Sequence, residues 1–168
     1  MSELFNDQGW RVVLEPATLP DGRVKRVARV GRADSVHILA FPTDDTILML
    51  REYRPYYGTY IWMLPSGRAD KENDIVEAAQ RELQEETGFR ADELTPYCVT
   101  NHSESLIMTN HLFIARKLVP SVLPQDDDEL IEVHTLGLEE ALQNVLSSPK
   151  VHTASAYGLL RYLKEHQG

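Results

Sequence analysis

Between Asp74 and Gly88 the chain carries start and stop signals for one helix, set among segments that read as strands. Asp74 can cap the N-terminus, with Glu77 three residues on as in a capping box. Ile75, Val76, Ala79 and Leu83 supply an apolar face, and Gly88 supplies a left-handed stop. The spacing predicts a helix over 74–87. Upstream, residues 10–14, 24–30, 35–40 and 46–52 are short, rich in β-branched side chains, and divided by Pro, Gly and Asp turns. Asp21-Gly22 predicts one hairpin, and Asp44-Asp45 a second between 38–41 and 47–50. Residues 53–66 read as an aromatic loop with a short strand around 60–64. Further strands are expected at 95–100, 111–117 and 131–136, an acidic loop at 126–129, and closing helices at 139–146 and 153–166. The pattern is that of an α+β chain with one core.

Composition narrows the function classes. With 17 basic and 26 acidic residues the net charge is −9, which repels nucleic acid and anionic membranes, so neither is expected as a partner. An anionic phosphate compound remains admissible if a cation screens it from the protein. The longest apolar runs span only a few residues, against roughly 20 for a bilayer crossing. The N-terminal residues lack a basic start and an apolar core, so a cytoplasmic location is expected. Cys98 is the only cysteine, which excludes an intrachain disulfide and a Cys-based zinc cluster, and it reads as a small buried residue.

On the predicted helix Glu82, Glu85 and Glu86 stand at i, i+3 and i+4, so their carboxylates share one face within an arc of about 100°. Like charges at this spacing destabilise a helix, and the face wants either solvent or a cation; hard divalent ions take oxygen ligands of this kind. A Glu-rich face alone is usually just solvated, so the neighbours decide. Gly67 followed at distance by Arg81-Glu82-Leu83-Gln84-Glu85-Glu86-Thr87-Gly88-Phe89 resembles the Nudix box. One element departs: the first Glu of the box falls at Asn73, flanked by Glu72 and Asp74. Glu77, one turn before Arg81, is placed to take over part of its support. Arg51-Glu52-Tyr53-Arg54-Pro55, then Trp62-Met63-Leu64-Pro65-Ser66-Gly67, are similar to the ADP-ribose and nucleoside-diphosphosugar pyrophosphatase subgroup. Two departures bear on substrate: the 102–105 loop lacks Pro-Gly, and Met63 replaces a Glu.

The resemblance implies an α/β/α sandwich with a mixed sheet at 35–168, and at 1–34 an antiparallel strand region that builds a homodimer. It implies Glu82, Glu85 and Glu86 as metal ligands, with the Ser66 carbonyl as a further oxygen and Arg81 orienting the glutamates. The ion would be Mg²⁺, with Mn²⁺ as the alternative, since all-oxygen sites suit both. Such ions offset the anionic charge of a diphosphate and lower the pKa of a bound water. The base would come from the acidic loop, Asp127 or Glu129, with Glu104 as a rival, and Arg51 and Arg54 would face the diphosphate. The implied reaction is hydrolysis of a nucleoside diphosphosugar, ADP-ribose giving AMP and ribose 5-phosphate. A dinucleoside polyphosphate or NADH is the enzymatic alternative, and a non-catalytic nucleotide sensor the alternative from another class. The six histidines are scattered without a metal-type pair and read as structural, and no aromatic residue is assigned a role.

Overall fold

The computed structural model describes residues 2–70, 74–125 and 129–166. Eleven strands and three helices follow one another among them: β1 (Ser2–Asp7), β2 (Trp10–Thr18), β3 (Val24–Gly31), β4 (Ser35–Ala40), β5 (Thr46–Arg54), β6 (Thr59–Met63), β7 (Ser66–Arg68), α1 (Ile75–Thr87), β8 (Phe89–Asn101), β9 (Leu106–Ile107), β10 (Thr109–Pro120), β11 (Ile131–Gly137), α2 (Leu138–Ser147) and α3 (Thr153–His166). They form three sheets, ordered β1-β2-β3-β9, β7-β4-β10-β8 and β11-β5-β6. β4 runs parallel to β10, and β10 antiparallel to β8, so the central sheet is mixed.

The expected helix forms with the expected ends. The Asp74 side chain accepts from the Val76 amide, and Gly88 closes the helix at φ 76°, donating its amide to the Gln84 carbonyl. Ala78, Ala79 and Leu83 pack on Val36, Ile38, Ala40 and Phe113. On the other side, Leu39 of β4 and Leu112 of β10, with the neighbouring Phe41 and with Met49 of β5, receive Ala141 and Val145 of α2 and Leu159 and Tyr162 of α3. Helices therefore cover both sides of the sheet layer, as the fold class requires. A Cβ at Gly158 would stand 2.7 Å from Leu112 Cδ2, so this glycine lets α3 lie close to the sheet.

Asp21-Gly22 turns the β2–β3 hairpin, with Gly22 at φ 84°. The second expected hairpin does not form: β4 pairs with β7 and β10, whereas β5 pairs with β6 and β11, and only Thr43 and Thr46 form a bridge. The reason is burial. Both runs are apolar on both faces, so each needs cover from two sides, and the chain crosses at Asp44-Asp45 from one sheet to the other. β1, β7 and β9 were not signalled by alternation, and β9 brings residues 106–107 onto the edge of the N-terminal sheet. Cys98 is half-buried rather than enclosed. Among the described residues, no helix is long and apolar enough to cross a membrane.

Candidate active site

A cavity of about 700 Å³ opens where β4, β5, β6 and β7 meet the C-terminal half of α1. Glu82, Glu86, Glu129, Ser66, Gly67, Arg32, Arg54, Arg68, His37 and His152 are among its lining. The helix positions the first two. Glu86 is 6% exposed, and the Ser66 amide donates to its Oε2 at 2.7 Å. Glu82 rests against the backbone of Gly67, where a Cβ would fall 2.0 Å from its carboxyl. That contact gives the box glycine its physical reason, because any side chain there would displace Glu82.

Arg81 sits behind this pair. It donates to Glu82 Oε1 at 2.8 Å and to the Arg68 carbonyl at 3.2 Å, and makes a short ion pair with Glu85. Glu85 thus does not line the cavity; it is turned to Arg81, one turn away on the same helix. Among the described residues no three acidic, His or Cys side chains already enclose one point as a cation cage.

Two further carboxylates belong to the site. Glu52 is 4% exposed on β5, paired with Arg54 at 2.8 Å, and Glu129 lines the cavity from the segment before β11. Burial pushes the Glu52 carboxyl up to about 7, against the pull of Arg54, with Glu129 adding to the rise. Glu82 is likewise pushed up to about 7 by burial, against Arg81, with Glu85 and Glu129 adding. Glu86 is raised well above the ordinary carboxylate range by burial and then by Glu82, the Ser66 amide opposing. Each of these carboxylates destabilises its neighbours' charge, and all their potential ligand atoms are hard oxygens. A divalent cation fits that donor set. Three cations, Arg32, Arg54 and Arg68, line the same cavity beside Asp70, which pairs with Arg68 at 3.5 Å, and burial together with Arg68 lowers the Arg32 pKa against the pull of Asp70.

The other sequence candidates are distributed as follows. Arg54 faces the cavity, but Arg51 lies on the other face of β5, holding Glu132 at 2.9 Å and standing 4.3 Å over the Tyr60 ring. Glu104 is not in the lining, and its carbonyl accepts from Arg29. Asp127, Glu72 and Asn73 lie outside the described residues. Sequence reasoning missed Glu52, although Leu48, Leu50 and Glu52 alternate onto one face, so a charge in that series was a signal. It also set aside His37 and His152, both of which reach the cavity. Burial brings the His37 pKa down to about 3, helped by His152, and that of His152 down to about 4, helped by Arg54, so both are uncharged at neutral pH.

The chain is similar to known proteins of one family. A model of the NUDIX domain matches residues 31–158. An ADP-ribose pyrophosphatase of Bacillus subtilis is 29% identical over 96% of this chain and 89% of its own length. The ADP compounds hydrolase NudE of Escherichia coli is 32% identical over 74% of this chain and 69% of its own. Among solved structures, an ADP compounds hydrolase superposes with a TM-score of 0.76 at 25% identity, covering 99% of this chain and 92% of that one.

Proposed function

The chain belongs to the Nudix hydrolase family, and on that premise we propose that it is a metal-dependent pyrophosphohydrolase of nucleoside diphosphosugars, with ADP-ribose as the first substrate to test. The observation that carries this reading is the convergence of Glu82, Glu86 and Glu129 on one cavity that Arg32, Arg54 and Arg68 also line, with the buried Glu52 close enough to raise the pKa of Glu86. Buried carboxylates that raise one another's pKa call for a cation, and the arginines suit an anionic diphosphate. The names of the relatives, an ADP-ribose pyrophosphatase and hydrolases of ADP compounds, support the substrate class.

Glu82, Glu86 and the Ser66 carbonyl would hold the cation, with Glu85 kept beside them by Arg81. Mg²⁺, or Mn²⁺ in its place, would there offset the charge on the diphosphate and acidify water. The protein's own groups do the rest. Arg54, Arg32 and Arg68 draw in and orient the diphosphate oxygens. Arg81 fixes the Glu82 and Glu85 carboxylates, so that they need no reorganisation when the substrate arrives. A carboxylate oxygen of Glu129 takes a proton from the attacking water, Asp127 being the alternative in the same loop. The water oxygen joins one phosphorus, the bridging P–O bond breaks, and the other phosphate leaves with the bridging oxygen. For ADP-ribose the products are AMP and ribose 5-phosphate.

The test is hydrolysis of ADP-ribose, ADP-glucose, GDP-mannose, UDP-glucose, a dinucleoside polyphosphate and NADH, with Mg²⁺, with Mn²⁺ and with chelator, beside Glu86→Gln. Release of a nucleoside monophosphate from a diphosphosugar, lost with chelator and in Glu86→Gln, is expected. Turnover confined to the dinucleoside polyphosphate or NADH, or binding without turnover, would overturn the proposal. The sheet of β1, β2 and β3 leaves Leu4, Phe5, Trp10 and Val24 exposed, which supports residues 1–34 as a homodimer contact. Light scattering at the monomer mass of 19.1 kDa would remove that assignment.

A further inference from the structure

Beside the carboxylates, the cavity wall carries a second polar group whose hydrogen bonds fix its tautomers. His37 is 4% exposed on β4, in the apolar series Val36-His37-Ile38-Leu39. The Ser35 hydroxyl donates to Asn110 Oδ1 at 2.7 Å, and the Asn110 amide nitrogen donates to Thr100 Oγ1 at 3.2 Å. With its proton committed, Ser35 Oγ can only accept from His37 Nε2, 3.0 Å away. The lone pair of His37 therefore sits on Nδ1, which is buried and has no partner.

His152 faces it, the ring centroids 5.3 Å apart. Ser155 is fully buried, and its Oγ accepts from the Leu64 amide at 2.9 Å. Among the described residues the only other hydrogen-bond partner of Ser155 Oγ is His152 Nδ1 at 2.7 Å, so the hydroxyl proton goes there and Nε2–H is left as the free donor of this ring. The pair thus offers one neutral donor and one neutral acceptor. The large majority of buried side-chain polar atoms are paired, because an unpartnered one costs stability, so the orphaned His37 Nδ1 calls for an explanation.

We propose that His152, backed by His37, determines specificity by binding a hydroxyl of the second sugar, the one carried by the β-phosphate, His152 Nε2–H donating to its oxygen and His37 Nδ1 accepting its proton. A hydroxyl is both donor and acceptor, whereas an ionised phosphate oxygen has no proton for His37. Position favours a sugar over a base. His37 is the cross-strand partner of Ser66, whose amide holds Glu86, and the charge of Arg54 bears on His152, so the pair adjoins the place of the diphosphate. The groups directly bonded to a diphosphate in such substrates are sugars, and a nucleobase lies one ring further away. His37 Nδ1 is buried in the free cavity, so admission of the hydroxyl requires the His152 ring to turn aside. This inference rests on the diphosphosugar reading and names the part of the substrate that is recognised.

The test is calorimetric titration of the wild type, His152→Leu and His37→Leu with ADP-ribose, with the β-methyl ester of ADP, which lacks the second sugar, and with the hypoxanthine analogue of ADP-ribose. Chelator is present, so that no turnover occurs. The wild type is expected to prefer ADP-ribose to the methyl ester by about ten- to a hundredfold, the range of one or two hydrogen bonds to groups otherwise left unpaired. Each variant is expected to lose that preference while binding the methyl ester as the wild type does, which also shows that it is folded. Equal binding of the two ligands by the wild type, or variants that keep the preference, would overturn the proposal. So would variants that lose discrimination between adenine and hypoxanthine instead, since the base would then occupy the pair. A wild type that hydrolyses no diphosphosugar yet keeps a preference abolished by both substitutions would sink the reaction and leave the subsite standing.

Discussion

Glu82→Gln, followed by stability in chelator at about pH 5 and about pH 8, measures directly how strongly the site resists its own charge. In the folded protein the Glu82 carboxyl titrates near 7 instead of 4.5, chiefly through burial, and its side chain is only 12% exposed, so solvent screens it little. Between those values the native protein keeps a proton that the unfolded chain has released, so stability falls as pH rises. The full shift corresponds to about 3.4 kcal/mol, of which about 2.5 kcal/mol falls between pH 5 and pH 8. His37 and His152 act with the opposite sign below about 6.5, since burial keeps them neutral while the unfolded chain takes up protons. Both proteins contain them, and they cancel in the difference. The stability of Glu82→Gln relative to wild type should therefore rise by about 2.5 kcal/mol, or roughly 5–10 °C in Tm for a chain of this size. Adding Mg²⁺ at pH 8 should shrink or reverse that advantage, because a cation that binds only the native site stabilises the wild type more. A difference independent of pH, or one that falls from pH 5 to pH 8, would refute the electrostatic account of the site.

Gly67→Ala should reduce kcat by at least about tenfold with a modest change in Tm, read by steady-state kinetics and calorimetry, because its Cβ would occupy the place of the Glu82 carboxyl. Arg54→Ala should raise KM for the diphosphosugar by about tenfold or more, whereas Arg51→Ala should leave both constants within a few-fold, since Arg51 holds Glu132 outside the cavity. Equal effects of the two substitutions would contradict that placement. Leu83→Ala should lower the unfolding free energy by about 2–5 kcal/mol in denaturant titration, as Leu83 is fully buried between α1 and the central sheet.

What the sequence declared locally, the structure keeps. Asp74 and Gly88 are decided by hydrogen bonds within a few residues, so capping chemistry alone located both ends of α1. The sharing of one face by Glu82 and Glu86 followed from helical periodicity in the same way. Pairing between distant strands was not local. The runs 38–41 and 47–50 look like the arms of a hairpin, but two-sided burial sends them to different sheets, and no turn residue announces that. Glu85 lay on the predicted face yet belongs to Arg81, because the choice between cavity and ion pair depends on the rotamer of the arginine. Glu52 needed the knowledge that its face of β5 ends at the α1 carboxylates, which only the assembled sheets supply.

The crossing at Asp44-Asp45 also explains how the fold carries so costly a site. A β4–β5 hairpin would place the two strands side by side in one sheet; separate sheets leave an opening at their ends, where β7 closes one edge and β6 the other. Into that opening α1 delivers Glu82 and Glu86 from a helix whose remaining buried face, Ala78, Ala79 and Leu83, is wholly apolar. The destabilising carboxylates and the stabilising contacts thus lie on the same 13-residue helix. Neither can move without the other. The packing of Leu83 holds the carboxylates at fixed positions against their mutual repulsion, and preorganisation of that kind keeps charged groups ready for a cation and an anionic substrate. Weakening the apolar face should consequently loosen the acidic one, coupling stability to catalysis through one rigid element rather than through a chain of contacts.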